Sequence, residues 1–195
     1  MTEQPSSLDP RLQRIAFIGP FGVGKSTAIR TVSDISVLGS EAEISPHVLH
    51  DDIASGKHLT TVAFEYGEIR TSDEERFALF GLPGQDRFEH MWRMLIPSTI
   101  GVVLLLNSQD SMDVCETWLS RLADYAPHGN LVIGVTRLTQ VSEAALQPYR
   151  ALLTQHGASG AAFAIDPRKT EEVRCAVIAL VAMHAWRSRR AVTAE

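Results

Sequence analysis

The chain has 195 residues, 45% of them apolar and 21% charged, which suits one soluble domain able to bury its own core. Its formal net charge of -5 excludes a global basic field for nucleic acid or anionic lipid. No apolar run approaches the ~18 residues that a membrane helix needs, so no membrane insertion and a cytoplasmic location are expected.

In chain order, residues 1–11 hold two prolines and several polar side chains and read as a loose tail. Arg14-Ile15-Ala16-Phe17-Ile18 is a short apolar run ending in Gly19, the pattern of a buried strand. Residues 26–33 follow as a helix. From 34 to 60 there is no period, and Gly39, Pro46, Asp51, Asp52 and Gly56 interrupt it; a stretch this long inside one domain is commonly a functional loop. Residues 62–69 and 75–80 read as the strands of a hairpin around Thr71-Ser72-Asp73-Glu74, ended by Gly81-Leu82-Pro83-Gly84. A helix over 86–96 stops at Pro97.

The run 101–106 has the continuous apolarity of a strand buried on both faces. A helix over 111–125 carries Val114, Trp118, Leu119 and Leu122 on one face. Residues 130–136 read as a buried strand, 142–156 as a helix and 161–165 as a short strand. A last helix over 170–189 has Val173, Val177, Leu180 and Val181 at helical spacing, with Arg187, Arg189 and Arg190 at its C-terminal end. Cys115 and Cys175 fall in helices, lack the spacing of a metal site or redox pair, and are expected as buried thiols. Strands alternating with helices predict an α/β three-layer fold, with a mostly parallel six-stranded sheet and one antiparallel edge strand. The domain is expected over 12–190, with a C-terminal tail at 191–195.

The residues that carry chemistry follow the first strand. Gly19-Pro20-Phe21-Gly22-Val23-Gly24-Lys25-Ser26 fits G-x-x-x-x-G-K-[ST] in the strand-then-helix context that the motif requires, that of a P-loop NTPase. Its glycines let successive amides point at anionic oxygens, and the helix that follows adds its positive dipole end. Lys25 is expected on the β- and γ-phosphates, Ser26 on Mg2+, and Thr27 near the α-phosphate. Phosphate contacts are expected from Gly19, Phe21, Gly22, Val23 and Gly24 as well.

Three blocks together are more specific than the phosphate loop alone. Residues 19–27, the run Thr60-Thr61-Val62-Ala63-Phe64-Glu65-Tyr66-Gly67, and the run Leu79-Phe80-Gly81-Leu82-Pro83-Gly84-Gln85-Asp86-Arg87-Phe88 resemble bacterial Ras-like small GTPases. The resemblance is to the gliding-motility (Mgl-type) and conservon group, and it covers residues 12–185. It implies a slow GTPase that alternates between GTP and GDP states on Mg2+, with a small Roadblock-type regulatory partner. It implies that Thr61, with Thr60 as its rival, binds Mg2+, and that the preceding loop, 34–60, is the first switch region. It implies that the Gly84 amide senses the γ-phosphate and that Gln85 orients the attacking water, so that Gln85, Lys25 and Thr61 form the catalytic set.

Two departures stand out. Position 81, where most small GTPases carry the aspartate that holds magnesium through water, is Gly81; Asp51 and Asp52 are substitutes or solvated loop residues. The guanine-reading Asn-Lys-x-Asp motif appears as Thr136-Arg137-Leu138-Thr139, and Thr139 cannot reproduce a carboxylate's paired acceptance. Arg137 can still stack on a base. Asp166, in Ile165-Asp166-Pro167-Arg168, is either a replacement carboxylate or a helix cap. Thr136, Arg137, Thr139 and Asp166 are therefore the candidate base contacts. Phe21 is expected to crowd an arginine inserted by a partner, and Arg87 to form a surface ion pair. His47, His50 and His58 fit no zinc spacing. The alternative to a switch is a nucleotide-binding interaction module with little hydrolysis or relaxed base choice.

Overall fold

The computed structural model describes residues 12–39, 64–72, 75–125, 130–158 and 160–192. Six strands form one sheet: β1 (Gln13–Ile18), β2 (Glu65–Arg70), β3 (Arg76–Gly81), β4 (Gly101–Asn107), β5 (Leu131–Thr136) and β6 (Gly160–Ala164). Their order is β2-β3-β1-β4-β5-β6. Only β2 and β3 pair antiparallel; the other neighbours are parallel. The expected α/β architecture is therefore the observed one, and it is consistent with a P-loop NTPase.

The central strands β4 and β5 are almost wholly apolar because both faces are covered, whereas β2 (Glu65–Arg70) carries charged residues at both ends. Side chains alternate across a strand, so Ile15, Phe17, Val103, Leu105, Phe77 and Leu79 point to one layer, whereas Ala16, Ile18, Val102, Leu104 and Leu106 point to the other. The first layer is closed by α1 (Lys25–Val32) and α5 (Thr170–Val192), which pack on each other. The second is closed by α2 (Glu89–Leu95), α3 (Met112–Ala123) and α4 (Glu143–Gln155). Each fully buried Ile, Leu or Phe contributes about 1.5–3 kcal/mol by leaving water. Ser142 caps α4 by accepting from the Ala145 amide at 3.2 Å, worth about 1 kcal/mol.

Several boundaries and faces differ from the sequence expectation. Gly81 is the last residue of β3 rather than its breaker, because it still pairs with Phe17 and Glu65. The expected helix over 86–96 is a 3-10 turn (Asp86–Phe88), then α2, then a second 3-10 turn (Ile96–Ser98) containing Pro97. On α3, Cys115 is fully buried and Val114 is exposed, so the core stripe runs one residue later than the Val114 assignment. Cys175 is exposed, because the buried stripe of α5 runs through Val173, Ala176, Val177 and Leu180 and leaves position 175 outside it. The N-terminal tail, and the first loop beyond residue 39, lie outside the described residues. Ala191 and Val192 continue α5. Among the described residues, no helix is long and apolar enough to cross a membrane.

In this strand order β1 is flanked by β3 on one side and β4 on the other. The chain leaves β1 for α1 on one side of the sheet and reaches β4 on the other, so the loop after Ile18 opens at the topological switch point.

Candidate functional site

The loop from Gly19 to Gly24 joins β1 to α1, and its shape is set by backbone that only glycine adopts freely. Gly19 has φ 147° and Gly24 φ 109°. A Cβ on Gly19 would stand 2.2 Å from the Leu105 carbonyl oxygen, and one on Gly24 would stand 2.6 Å from Pro167 Cγ. Gly24 is also the N-cap of α1, which has no side-chain cap and no acidic residue in its first turn. The first amides and the positive dipole end of α1 are thus left for an anion.

Lys25 opens α1 and folds back over the loop. Its Nζ donates to the carbonyl oxygens of Gly19 at 2.8 Å and Pro20 at 2.7 Å. Burial pushes its pKa down to about 8, against the upward pull of the Glu65 carboxylate. Ser26 is half-buried, Thr27 exposed and Val23 buried. Phe21, at the loop tip, is 88% exposed.

Beside this loop lies a cavity of about 530 Å³. One wall is Gly22, Val23, Gly24 and Thr27; the other is Thr136, Arg137, Leu138 and Val141 after β5, with Ile165, Asp166 and Pro167 after β6. Arg137 has φ 59°, in the left-handed region that a side chain rarely adopts. Its carbonyl accepts from Ser108 Oγ at 2.9 Å and its Nη2 donates to the Gly22 carbonyl at 3.0 Å. Arg137 thereby ties the β5 loop to the phosphate loop, a role that residue type alone does not show.

The other candidate base contacts are placed unequally. Thr136 is buried and its hydroxyl donates to the Leu106 carbonyl at 3.2 Å. Thr139 is exposed and is not part of the cavity wall. Asp166 lines the cavity, but its carboxylate accepts from the Arg168 amide at 3.1 Å, from Nε at 2.9 Å and from Nη2 at 2.7 Å. The hydrogen bonds from Arg168 hold it well below the usual carboxylate range. Its amide donates to Glu172 Oε2 at 2.6 Å. Asp166 therefore closes a local turn with Arg168 rather than capping α5 with its side chain.

The segment after β3 approaches the phosphate loop closely. A Cβ on Gly84 would stand 2.3 Å from the Gly19 carbonyl oxygen and 2.7 Å from Trp118 Cη2. Trp92 Nε1 donates to the Pro83 carbonyl at 2.9 Å, and Leu82 donates its amide to the Phe17 carbonyl at 2.9 Å. Gln85 is exposed at the start of the 3-10 turn. Arg87 lies 4.7 Å from the Phe88 ring centroid, so it stacks on its neighbour where a surface ion pair was expected. Arg121 on α3 makes the ion pairs of this region instead, with Asp86 at 3.0 Å and Glu89 at 3.8 Å. Thr60, Thr61, Asp51, Asp52, His47, His50 and His58 lie outside the described residues.

Glu65 was not among the candidates, and no local motif points to it. It begins β2, directly opposite Gly81. Its side chain is only 14% exposed, and Oε1 accepts from Arg30 Nη2 at 3.4 Å. Magnesium takes hard oxygen ligands. The Ser26 hydroxyl and the Glu65 carboxylate are such donors on the phosphate side of the sheet, so the residues present fit the ion.

No curated protein matches the chain. Residues 17–151 match a family described as conserved hypothetical ATP binding protein. The matched span takes in the phosphate loop, the segment after β3 and the β5 wall of the cavity, and it supports nucleotide binding by this arrangement. With well over half of its length matched, the chain belongs to this family of conserved hypothetical ATP-binding proteins.

Proposed function

We propose that the protein is a small Ras-like nucleotide switch, which binds a purine nucleoside triphosphate with magnesium, hydrolyses it slowly and presents a state-dependent surface to a partner. The close approach of Gly84 to the Gly19 carbonyl carries this reading, because it sets the segment after β3 against the phosphate loop. A γ-phosphate arriving there must displace or recruit that segment.

Lys25 leaves the Gly19 and Pro20 carbonyls for the β- and γ-phosphates, where its charge opposes the negative charge that builds on the transferred group. Ser26, with Thr61 from the first loop, holds the magnesium. When bound, the ion neutralises charge on the β- and γ-oxygens. The Gly84 amide donates to the γ-phosphate, and Gln85 holds the attacking water in line. Water adds to the γ-phosphorus as the β–γ bridging bond breaks, leaving the diphosphate and inorganic phosphate.

We read the base site as favouring guanine by a small margin. Arg137 offers a stacking surface on the cavity wall, but Thr139 stands outside that wall and Asp166 is engaged by Arg168. A guanine-reading carboxylate hydrogen bond is worth about 1.5–3 kcal/mol, and that much discrimination is missing. The resemblance suggests a Roadblock-type partner at the switch segments, with the exposed Phe21 crowding any arginine inserted over the phosphate loop. The free thiols of Cys115 and Cys175 favour the cytoplasm.

The engaged Asp166 and the absent aspartate at position 81 favour a second reading, a static nucleotide-binding module. Single-turnover hydrolysis with GTP and ATP, alongside GDP and ADP competition, separates the two. A rate at or below the roughly 10⁻⁴ s⁻¹ of unassisted Ras-like proteins is expected. No hydrolysis at all selects the static module, and ADP binding as tightly as GDP removes the guanine assignment.

A further inference from the structure

We propose that Glu65 is the carboxylate that supports the nucleotide-bound magnesium, reaching from β2 into the place that an aspartate at position 81 occupies in most small GTPases. The proposal rests on reading the site as one for a magnesium nucleotide.

Three adjacent strands create the juxtaposition. Glu65 is the register partner of Gly81, and Gly81 is the register partner of Phe17, two residues before Gly19. Because β2 runs antiparallel, its first residue lies beside the C-terminal ends of β3 and β1, where the phosphate loop begins. A Cβ on Gly81 would stand 2.8 Å from Ile29 Cδ1, 3.0 Å from Glu65 Oε2 and 3.2 Å from Glu65 Cβ. The glutamate, with the movable end of Ile29, therefore occupies the volume in which an aspartate at position 81 would begin, and the two carboxylates are alternatives for one position. Neighbouring strands are about 4.8 Å apart, and the additional methylene of glutamate over aspartate recovers part of that distance.

The electrostatics agree. A carboxylate this far from water needs a compensating charge. The contact with Arg30 is long, at 3.4 Å, and the arginine is 66% exposed, so that pair returns little.

The test is Glu65→Gln, read as the affinity for a fluorescent GTP analogue while Mg2+ is titrated against a chelator. The magnesium concentration giving half of the affinity gain should rise about 10- to 100-fold, the usual effect of removing a group that orients a metal's ligands. Affinity with chelator alone should be unchanged or tighter, because a negative charge beside the phosphates is gone. An unchanged magnesium dependence overturns the proposal. So does an equal loss with and without Mg2+, which would assign Glu65 to Lys25 or to the fold.

The exchange Glu65→Gly with Gly81→Asp provides the second arm. A stable double variant should regain most of the wild-type magnesium dependence; one that folds but stays as insensitive as Glu65→Gln overturns the assignment. If the wild-type chain binds neither the GTP analogue nor the matching ATP analogue, with or without Mg2+, the nucleotide reading itself falls and takes this proposal with it; if only the ATP analogue binds, the same titration is read with it.

Discussion

Lys25 is a cation that the fold has already taken partly out of water. Two backbone carbonyls accept hydrogen bonds from its ammonium, and burial lowers its pKa to about 8. Removing its charge-assisted contacts to two phosphates costs about 1.5–3 kcal/mol each. Lys25→Ala should therefore weaken GTP binding by roughly 10²–10⁴-fold, and equal affinity of variant and wild type in calorimetry would refute the assignment. The depressed pKa adds a pH signature. Below pH 8 the lysine is charged in both free and bound protein, and affinity does not vary with its titration. Phosphates raise its pKa, so between about 8 and the bound value the free lysine is neutral and binding takes up a proton. Affinity should fall as pH rises through this window. Calorimetry in buffers of different ionisation heat should show uptake approaching one proton at pH 9 and a smaller uptake at pH 7. Absence of uptake at pH 9 would mean that Lys25 does not meet the phosphates.

Among the elements, the segment from β3 through α2 is bound to α3 by an aromatic and charged cluster. The Arg121 guanidinium lies 4.6 Å from the Trp92 ring centroid and 5.1 Å from that of Trp118, and Tyr125 donates its hydroxyl to Glu89 at 2.5 Å. Trp92 in turn holds the Pro83 carbonyl. Movement at Gly84 is thus coupled to two tryptophans. Gly84→Ala introduces a methyl 2.3 Å from the Gly19 carbonyl, a contact that backbone must shift to relieve. The variant should lose the preference for a GTP analogue over GDP, keep GDP binding within a few-fold, alter tryptophan emission, and lose about 1–3 kcal/mol of stability. Retention of the wild-type ratio of GTP-analogue to GDP affinity would show that Gly84 senses nothing.

For the whole molecule, the sheet order decides which parts can respond to nucleotide. β1, β4 and β5 are buried between two helical layers and have little freedom, whereas the loops after β1, β3, β5 and β6 meet at one edge. The response to a γ-phosphate should therefore be local. Hydrogen exchange with a non-hydrolysable GTP analogue, relative to GDP, should show added protection around Thr61 and in residues 81–97, with the central strands unchanged. Identical exchange of both segments in the two states would leave the static binding module as the function.

The sequence by itself determined what depends on near neighbours along the chain. The phosphate loop is eight consecutive residues between an apolar strand and a helix, and its glycines, Lys25 and Ser26 act within that span. The central strands were legible because burial on both faces leaves uninterrupted apolar runs, and β2 and β3 because a polar turn separates them. Helix faces were less so: Val114 and Cys115 differ by about 100° around α3, and only the direction of the sheet decided which was covered. The tertiary structure alone decided the pairings across distance. Glu65 faces Gly81 through strand register, Arg137 reaches the Gly22 carbonyl, and Trp118 closes on Gly84. None of these has a sequence period or motif, because each depends on where packing brings two separate loops or strands, and that is a property of the folded sheet rather than of any stretch of chain.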